Sequence, residues 1–280
     1  MSQKSYNGTP TVYLIPTPIG NMEDITLRAI NLLKEVEVVF SEDTRVTGLL
    51  LQNLNIKKKL IANHEYNETE NKEKIIDYLN NGYSVGIVTD RGTPIISDPG
   101  YTLAEHVISQ GYNVVGLPGA TALIPALIMS GLSPSPFLFY GFLNSKQQKR
   151  EKELEELNNV KATMIFYESP HRIQKTLNDM LKILGNRKIS ISREISKKFE
   201  EVYRGTISEV LLELSEPKGE FVIIVSGNKS VINYDSVSVI EHVNAFIKEG
   251  NSVSDSIGLV AKQRNVSKKE IYNEYHGINK

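Results

Sequence analysis

The chain has 280 residues, 40% hydrophobic and 23% charged, with a formal net charge of −1. That length suffices for two modest domains with cores of their own. The absence of cysteine excludes disulfides, thiolate nucleophiles and Cys-ligated zinc, and suits a reducing cytoplasmic setting. No apolar run approaches the roughly 18–20 residues needed to span a bilayer, and Met1–Pro10 is polar, without a signal-peptide core. Walker A, His-Glu-x-x-His and Gly-x-Gly-x-x-Gly patterns are missing, and the five histidines stand in no metal-ligand spacing, so no metal site is expected. Charge is uneven: residues 1–143 hold 10 Lys/Arg against 14 Asp/Glu, residues 144–204 hold 14 against 9, and residues 205–280 hold 8 against 10. The basic middle suits either a phosphate backbone or a solvated helical surface.

In chain order, Thr11–Ile15 is a β-branched and aromatic run that predicts a first strand. It feeds a Pro/Gly loop, Pro16–Asn21, after which Asp24 is the expected N-cap of a helix over 25–35. A second strand, Val36–Phe40, ends in Ser-Glu-Asp-Thr-Arg, where Glu42 and Asp43 serve either as displayed carboxylates or as first-turn helix acids. Leu60–Ala62 is a short strand running into a polar loop with His64, and a charged helix over 68–81 follows. Val85–Val88 is a strand that opens into Thr89–Gly100, T-D-R-G-T-P-I-I-S-D-P-G. Pro94 and Pro99 bar regular structure there, while Gly92 and Gly100 permit a ligand to approach the backbone. A helix over 101–110, a strand over 114–117, the loop Pro118–Ala122 and a helix over 123–130 complete a repeating strand–loop–helix pattern, which predicts a mostly parallel sheet.

Gly131–Pro136 reads as a linker. Beyond it, strands over 137–140, 162–167, 188–192 and 220–226 and helices over 146–158, 173–184 and 207–214 predict a second α/β unit of mixed strand direction. The tail reads as three short helices, 237–248, 254–264 and 267–276, with Ser254 and Ser267 as N-caps and Glu270 in capping-box spacing. Their spacing fits a helix-turn-helix module or a plain packing bundle. The expected divisions are 10–130, 131–229 and 230–280.

Read together, seven ordered segments carry a resemblance. They are T-P-I-G-N-M-E-D-I-T-L-R-A (17–29), S-E-D-T-R-V-T-G-L-L-L (41–51), D-R-G-T-P-I-I-S-D-P-G-Y (90–101), L-P-G-A-T-A (117–122), F-Y-E-S-P-H-R (166–172), R-E-I-S-K-K-F-E (193–200) and K-G-E-F-V-I-I-V (218–225). Over about residues 10–280 the chain resembles the tetrapyrrole methylase superfamily, and within it the methyltransferases of small-subunit ribosomal RNA. The resemblance implies two α/β domains with S-adenosylmethionine (SAM) in the cleft between them, a helix-turn-helix-like C-terminal extension, and a homodimer. It also implies 2′-O-methylation of a cytidine in the decoding region of small-subunit (16S) rRNA, free or in the assembled subunit. The chain departs from the family pattern at Arg91, where alanine is usual.

On this reading the cofactor residues are Pro18, Gly20, Thr93, Pro94, Asp98, Pro118, Gly119, Ala120, Thr121 and Tyr167. They offer close backbone approach, a carboxylate and a cofactor wall. The ribose hydroxyl is a poor nucleophile and needs a proton acceptor. Glu42, Asp43, His64 and Glu168 are candidates, with the Glu42/Asp43 pair favoured as catalytic. Arg45, His171 and Arg172 are expected to meet the RNA, Arg45 by bidentate phosphate binding. Two other readings remain at this level: a methylase of a tetrapyrrole or other small molecule on the same fold, and a non-catalytic nucleic-acid-binding protein.

Overall fold

In a computed structural model the chain is described at residues 2–5, 7–64, 67–214, 218–228, 237–264 and 266–278. Glu65 and Tyr66, the expected boundary at 229–230 and Asn265, between the second and third expected tail helices, lie outside them. The chain divides into two compact units, Met1–Gly227 and Asn228–Lys280.

The first unit contains two five-stranded sheets. Strands β1 (Thr11–Leu14), β2 (Val38–Ser41), β3 (Lys59–Ala62), β4 (Val85–Val88) and β5 (Asn113–Gly116) form a parallel sheet in the order β3-β2-β4-β1-β5. Helices α1 (Leu27–Glu35), α2 (Thr44–Asn53), α3 (Glu68–Asn80) and α4 (Tyr101–Ser109) alternate with them, and α5 (Leu123–Met129) follows β5. Alternation along each strand sends Ile15, Val39 and Val88 to one face and Val12, Phe40 and Ile87 to the other, so each face has its own core. The chain leaves β1 toward β2 and leaves β4 in the opposite direction toward β5. The crevice at the carboxyl ends of adjacent strands β1 and β4 is therefore a topological switch point.

The second sheet is mixed: β6 (Phe137–Phe142), β7 (Thr163–Glu168), β10 (Phe221–Val225), β8 (Lys188–Arg193) and β9 (Glu201–Thr206), in that order. Only the β6–β7 pair is parallel. Helices α6 (Gln147–Leu157), α7 (Ile173–Leu184) and α8 (Ile207–Glu213) cover one face. Central β10 is apolar at every position because both faces are covered: Phe221, Ile223 and Val225 join the helices' core, while Val222 and Ile224 pack with Ala126 and Leu127 of α5. Thus α5, which follows the first sheet in sequence, packs on the second.

Three expectations change. Helix α1 starts at Leu27, and Thr26, not Asp24, accepts from its Ala29 N–H; Asp24 ends a 3₁₀ turn over Met22–Asp24. Strand β9 was not expected, because E-V-Y-R-G-T is charged and contains Gly205. It is an edge strand paired only with β8, a place where polar residues are suited.

The second unit packs α9 (Val239–Lys248), α10 (Val253–Arg264) and α11 (Lys268–Tyr275) around Val239, Val243, Ile257, Val260 and Ile271. Ser267 and Glu270 form the expected capping box. The third change is at α10, where Ser252 rather than Ser254 accepts from the Asp255 N–H, at 3.1 Å.

Candidate active site

The loops at the switch point are stitched to one another. Thr17 and Gly92 exchange backbone hydrogen bonds of 2.9 and 3.0 Å. The Thr17 hydroxyl donates to the Thr89 carbonyl at 3.1 Å, and the Thr93 hydroxyl to the Ala120 carbonyl at 3.0 Å. Glu68 of α3 accepts from the Gly100 N–H at 2.6 Å and from the Thr102 hydroxyl at 2.5 Å, holding the far end of the β4–α4 loop. Between these anchors Ile95 and Ser97 have φ of 77° and 67°. A β-branched residue at positive φ is a strained conformation, kept only where the surroundings over-determine it. Ser97 Oγ lies beside Gly141, at the bulge of β6, so the strained loop also touches the second sheet.

These loops and the second sheet enclose a cavity of about 290 Å³. Thr93, Asp98, Thr121 and Tyr167 line it, with apolar walls from Ile19, Ile96, Phe142, Ile195 and Val222. A second cavity of about 510 Å³ lies alongside, and Pro18 and Gly20 line that one. The other expected cofactor residues act behind the walls. Ala120 supplies the carbonyl that fixes Thr93, and Pro94 is buried within its loop. Gly119 lets its loop pass Pro16, where a Cβ would lie 2.6 Å from the ring. Pro118 is exposed.

Three carboxylates line the first cavity: Asp98, Glu168 and Glu220. Buried Glu168 accepts from the Ser169 N–H at 2.8 Å and the Thr176 hydroxyl at 2.6 Å, with the Arg172 guanidinium 3.2 Å away. Glu220 is paired with Arg91 and Lys197. No cation pairs with Asp98 among the described residues: burial, then the nearby Glu42 charge, push its carboxyl up to about 6, against a hydrogen bond from Thr89. That hydroxyl also donates to Glu42 Oε2 at 3.0 Å. The burial that raises Asp98 also raises the Tyr167 phenol facing the same space.

Neither Glu42 nor Asp43 lines either cavity. Asp43 is the N-cap of α2 and pairs with Arg45 at 2.5 Å, which holds its carboxyl down at about 2. Arg45 is otherwise exposed, as are His64 and His171. Arg172 donates to the Leu143 carbonyl at 2.6 Å besides meeting Glu168, so it ties α7 to the end of β6. Sequence reasoning missed the walls from Phe142, Ile195, Phe221 and Val222. The segments 193–200 and 218–225 contain three of them, but an apolar residue in a strand or turn carries no mark of whether it faces a cavity.

Residues 11–211 match the family model of the tetrapyrrole (corrin/porphyrin) methylases. The chain belongs to this family. Among its relatives, the ribosomal RNA small subunit methyltransferase I of Bacillus subtilis (strain 168) is 44% identical over 98% of both chains. The protein of the same name from Halalkalibacterium halodurans is 45% identical, over 98% of this chain and 99% of that one. Solved structures share the methylase fold at lower identity. The uroporphyrin-III-C-methyltransferase of Thermus thermophilus superposes with a TM-score of 0.56 at 19% identity, covering 77% of this chain and 94% of that one. A diphthine synthase superposes with a TM-score of 0.61 at 11% identity, covering 77% and 90%. At those identities the likeness speaks for the fold alone. In this methylase the switch-point loops and the second sheet form the cavity walls together.

Proposed function

We propose that this protein is a SAM-dependent methyltransferase that methylates a ribose 2′-hydroxyl, of a cytidine, in small-subunit rRNA, working in the cytoplasm as a homodimer. The observation that carries the rRNA substrate is identity of 44% over 98% of the chain with a protein named for small-subunit rRNA methylation. The first cavity suits the cofactor. It offers apolar walls for an adenine, polar groups at Thr93 and Thr121, and close backbone approach at Gly92, where a Cβ would lie 3.2 Å from Ile19.

Bound SAM would supply an electrophilic methyl on a sulfonium leaving group. The chain's own task is to hold the acceptor hydroxyl in line and take its proton. Asp98 is the carboxylate for this. It lines the cavity, no cation among the described residues neutralises it, and its affinity for a proton is already raised toward neutral pH. Glu42 acts behind it through Thr89 as a positioning residue, and Asp43 serves α2 and Arg45 rather than the reaction. Calorimetry with SAM on Thr93→Trp tests the cavity assignment. The bulky ring should abolish binding while thermal unfolding stays cooperative; unchanged affinity would sink it.

A further inference from the structure

Arg91, the departure from the family pattern, lines both cavities. Its Nη1 lies 2.6 Å from Glu220 Oε1, and the other oxygen of the same carboxylate lies 2.8 Å from Lys197 Nζ. One carboxylate therefore bridges two cations, one from each sheet's loops. The three groups differ in how firmly they are held. Lys197 is largely buried; its stem crosses Gly20 so closely that a Cβ there would lie 2.4 Å from Lys197 Cγ. Its ammonium also meets Glu194 Oε1 at 2.9 Å, and that oxygen accepts from the Glu220 N–H at 3.0 Å. Glu194 and Ser196 hold this loop at φ of 51° and 69°. The Glu220 side chain, by contrast, is 61% exposed.

Arg91, Lys197 and Glu194 of this cluster line the second cavity, while Glu220 reaches them from the rim it shares with the first. The second cavity's apolar side comes from Met22, Val46 and Leu49, and its charged side from Arg91 and Lys197 with the carboxylates Asp90 and Glu194. Such a mix fits the base of a neighbouring nucleotide against the apolar residues and a phosphodiester against the cations. Arginine and lysine together grip a phosphate by a fork and a point charge.

Resting on the rRNA reading above, we propose that the second cavity is the RNA subsite and that a backbone phosphate of the acceptor strand takes the place of the Glu220 carboxylate between Arg91 and Lys197. Glu220 is then an internal competitor. With Glu194 it balances the two cations in the free protein, swings to solvent when RNA binds, and leaves Glu194 paired with Lys197. A free small anion gains little by displacing it, whereas an RNA strand adds the contacts of the apolar wall.

The test measures binding of small ribosomal subunits, isolated from cells lacking this protein, to the full-length protein saturated with S-adenosylhomocysteine. Glu220→Gln should tighten binding several-fold, because the competitor is gone while its shape remains. Arg91→Ala should weaken binding about tenfold and lessen the slope of log affinity against log salt by about 0.7, the value for one single-strand phosphate. Weaker binding by Glu220→Gln, or an unchanged salt slope in Arg91→Ala, would overturn the subsite while leaving the rRNA reading intact. No binding of these subunits or of free small-subunit rRNA by the unsubstituted protein would overturn both.

Discussion

At the scale of single residues the proposed chemistry turns on Asp98. If it accepts the proton, the rate should fall as pH drops through about 6, where the carboxyl takes up a proton of its own. Glu42→Gln removes the nearby like charge, so the acid limb of the pH–rate profile should move to lower pH. A limb that stays in place, or moves up, would dissociate Glu42 from Asp98. The same shift bears on stability with the opposite sense. A folded carboxyl raised to about 6 from 3.8 binds its proton more tightly than the unfolded chain. This contribution is fully present at pH below 3.8 and is lost as pH rises through about 6. The sequence named Asp98 as a cofactor contact and Glu42 with Asp43 as the acids. It could show carboxylates at strand ends, but not that Arg45 would occupy Asp43 or that the Thr89 hydroxyl would stand between Glu42 and Asp98. Those are facts of loop geometry with no periodic signal.

Loops and their anchoring elements were partly legible. Pro/Gly-rich segments after β1, β4 and β5 stood out because each breaks the pattern of the strand before it, and the structure brings all three to the switch point. The glycine at 119 has a specific reason to be there. Gly119→Ala would set its Cβ 2.6 and 2.8 Å from the Cβ and Cγ of Pro16, a rigid ring. The expected cost is about 1–3 kcal/mol of stability, read by denaturant unfolding. SAM affinity should fall with it, because the displaced loop carries the Ala120 carbonyl that fixes Thr93. Full affinity at full stability would mean the three loops are not coupled. Strand β9 stayed hidden for the converse reason: an edge strand needs no apolar face, so E-V-Y-R-G-T gave no alternation to read.

At the scale of the whole molecule, the two sheets have separate cores, and stability should be separable from the site. Arg150 and Asp179, at 4% and 9% side-chain exposure, form a buried pair joining α6 to α7, with Nε–Oδ2 at 2.7 Å. Asp179→Ala strands the guanidinium and should cost about 3–5 kcal/mol. The SAM dissociation constant, measured well below the melting temperature, should stay unchanged. A large loss of affinity in a folded variant would place the cofactor's support inside the second core rather than at the loops. The parallel first sheet and the mixed second sheet were legible from strand–helix alternation. The packing of α5 on the second sheet was not, because chain order says nothing about which sheet a connecting helix covers.

The most direct measurement uses small ribosomal subunits from cells lacking the protein. These are incubated with the purified protein and SAM bearing a deuterated methyl, then analysed by nucleoside mass spectrometry. The account predicts the heavy methyl on the ribose of a cytidine in small-subunit rRNA, and its loss with Asp98→Asn. Label on a base, or RNA left unlabelled by an enzyme that binds SAM, would contradict it.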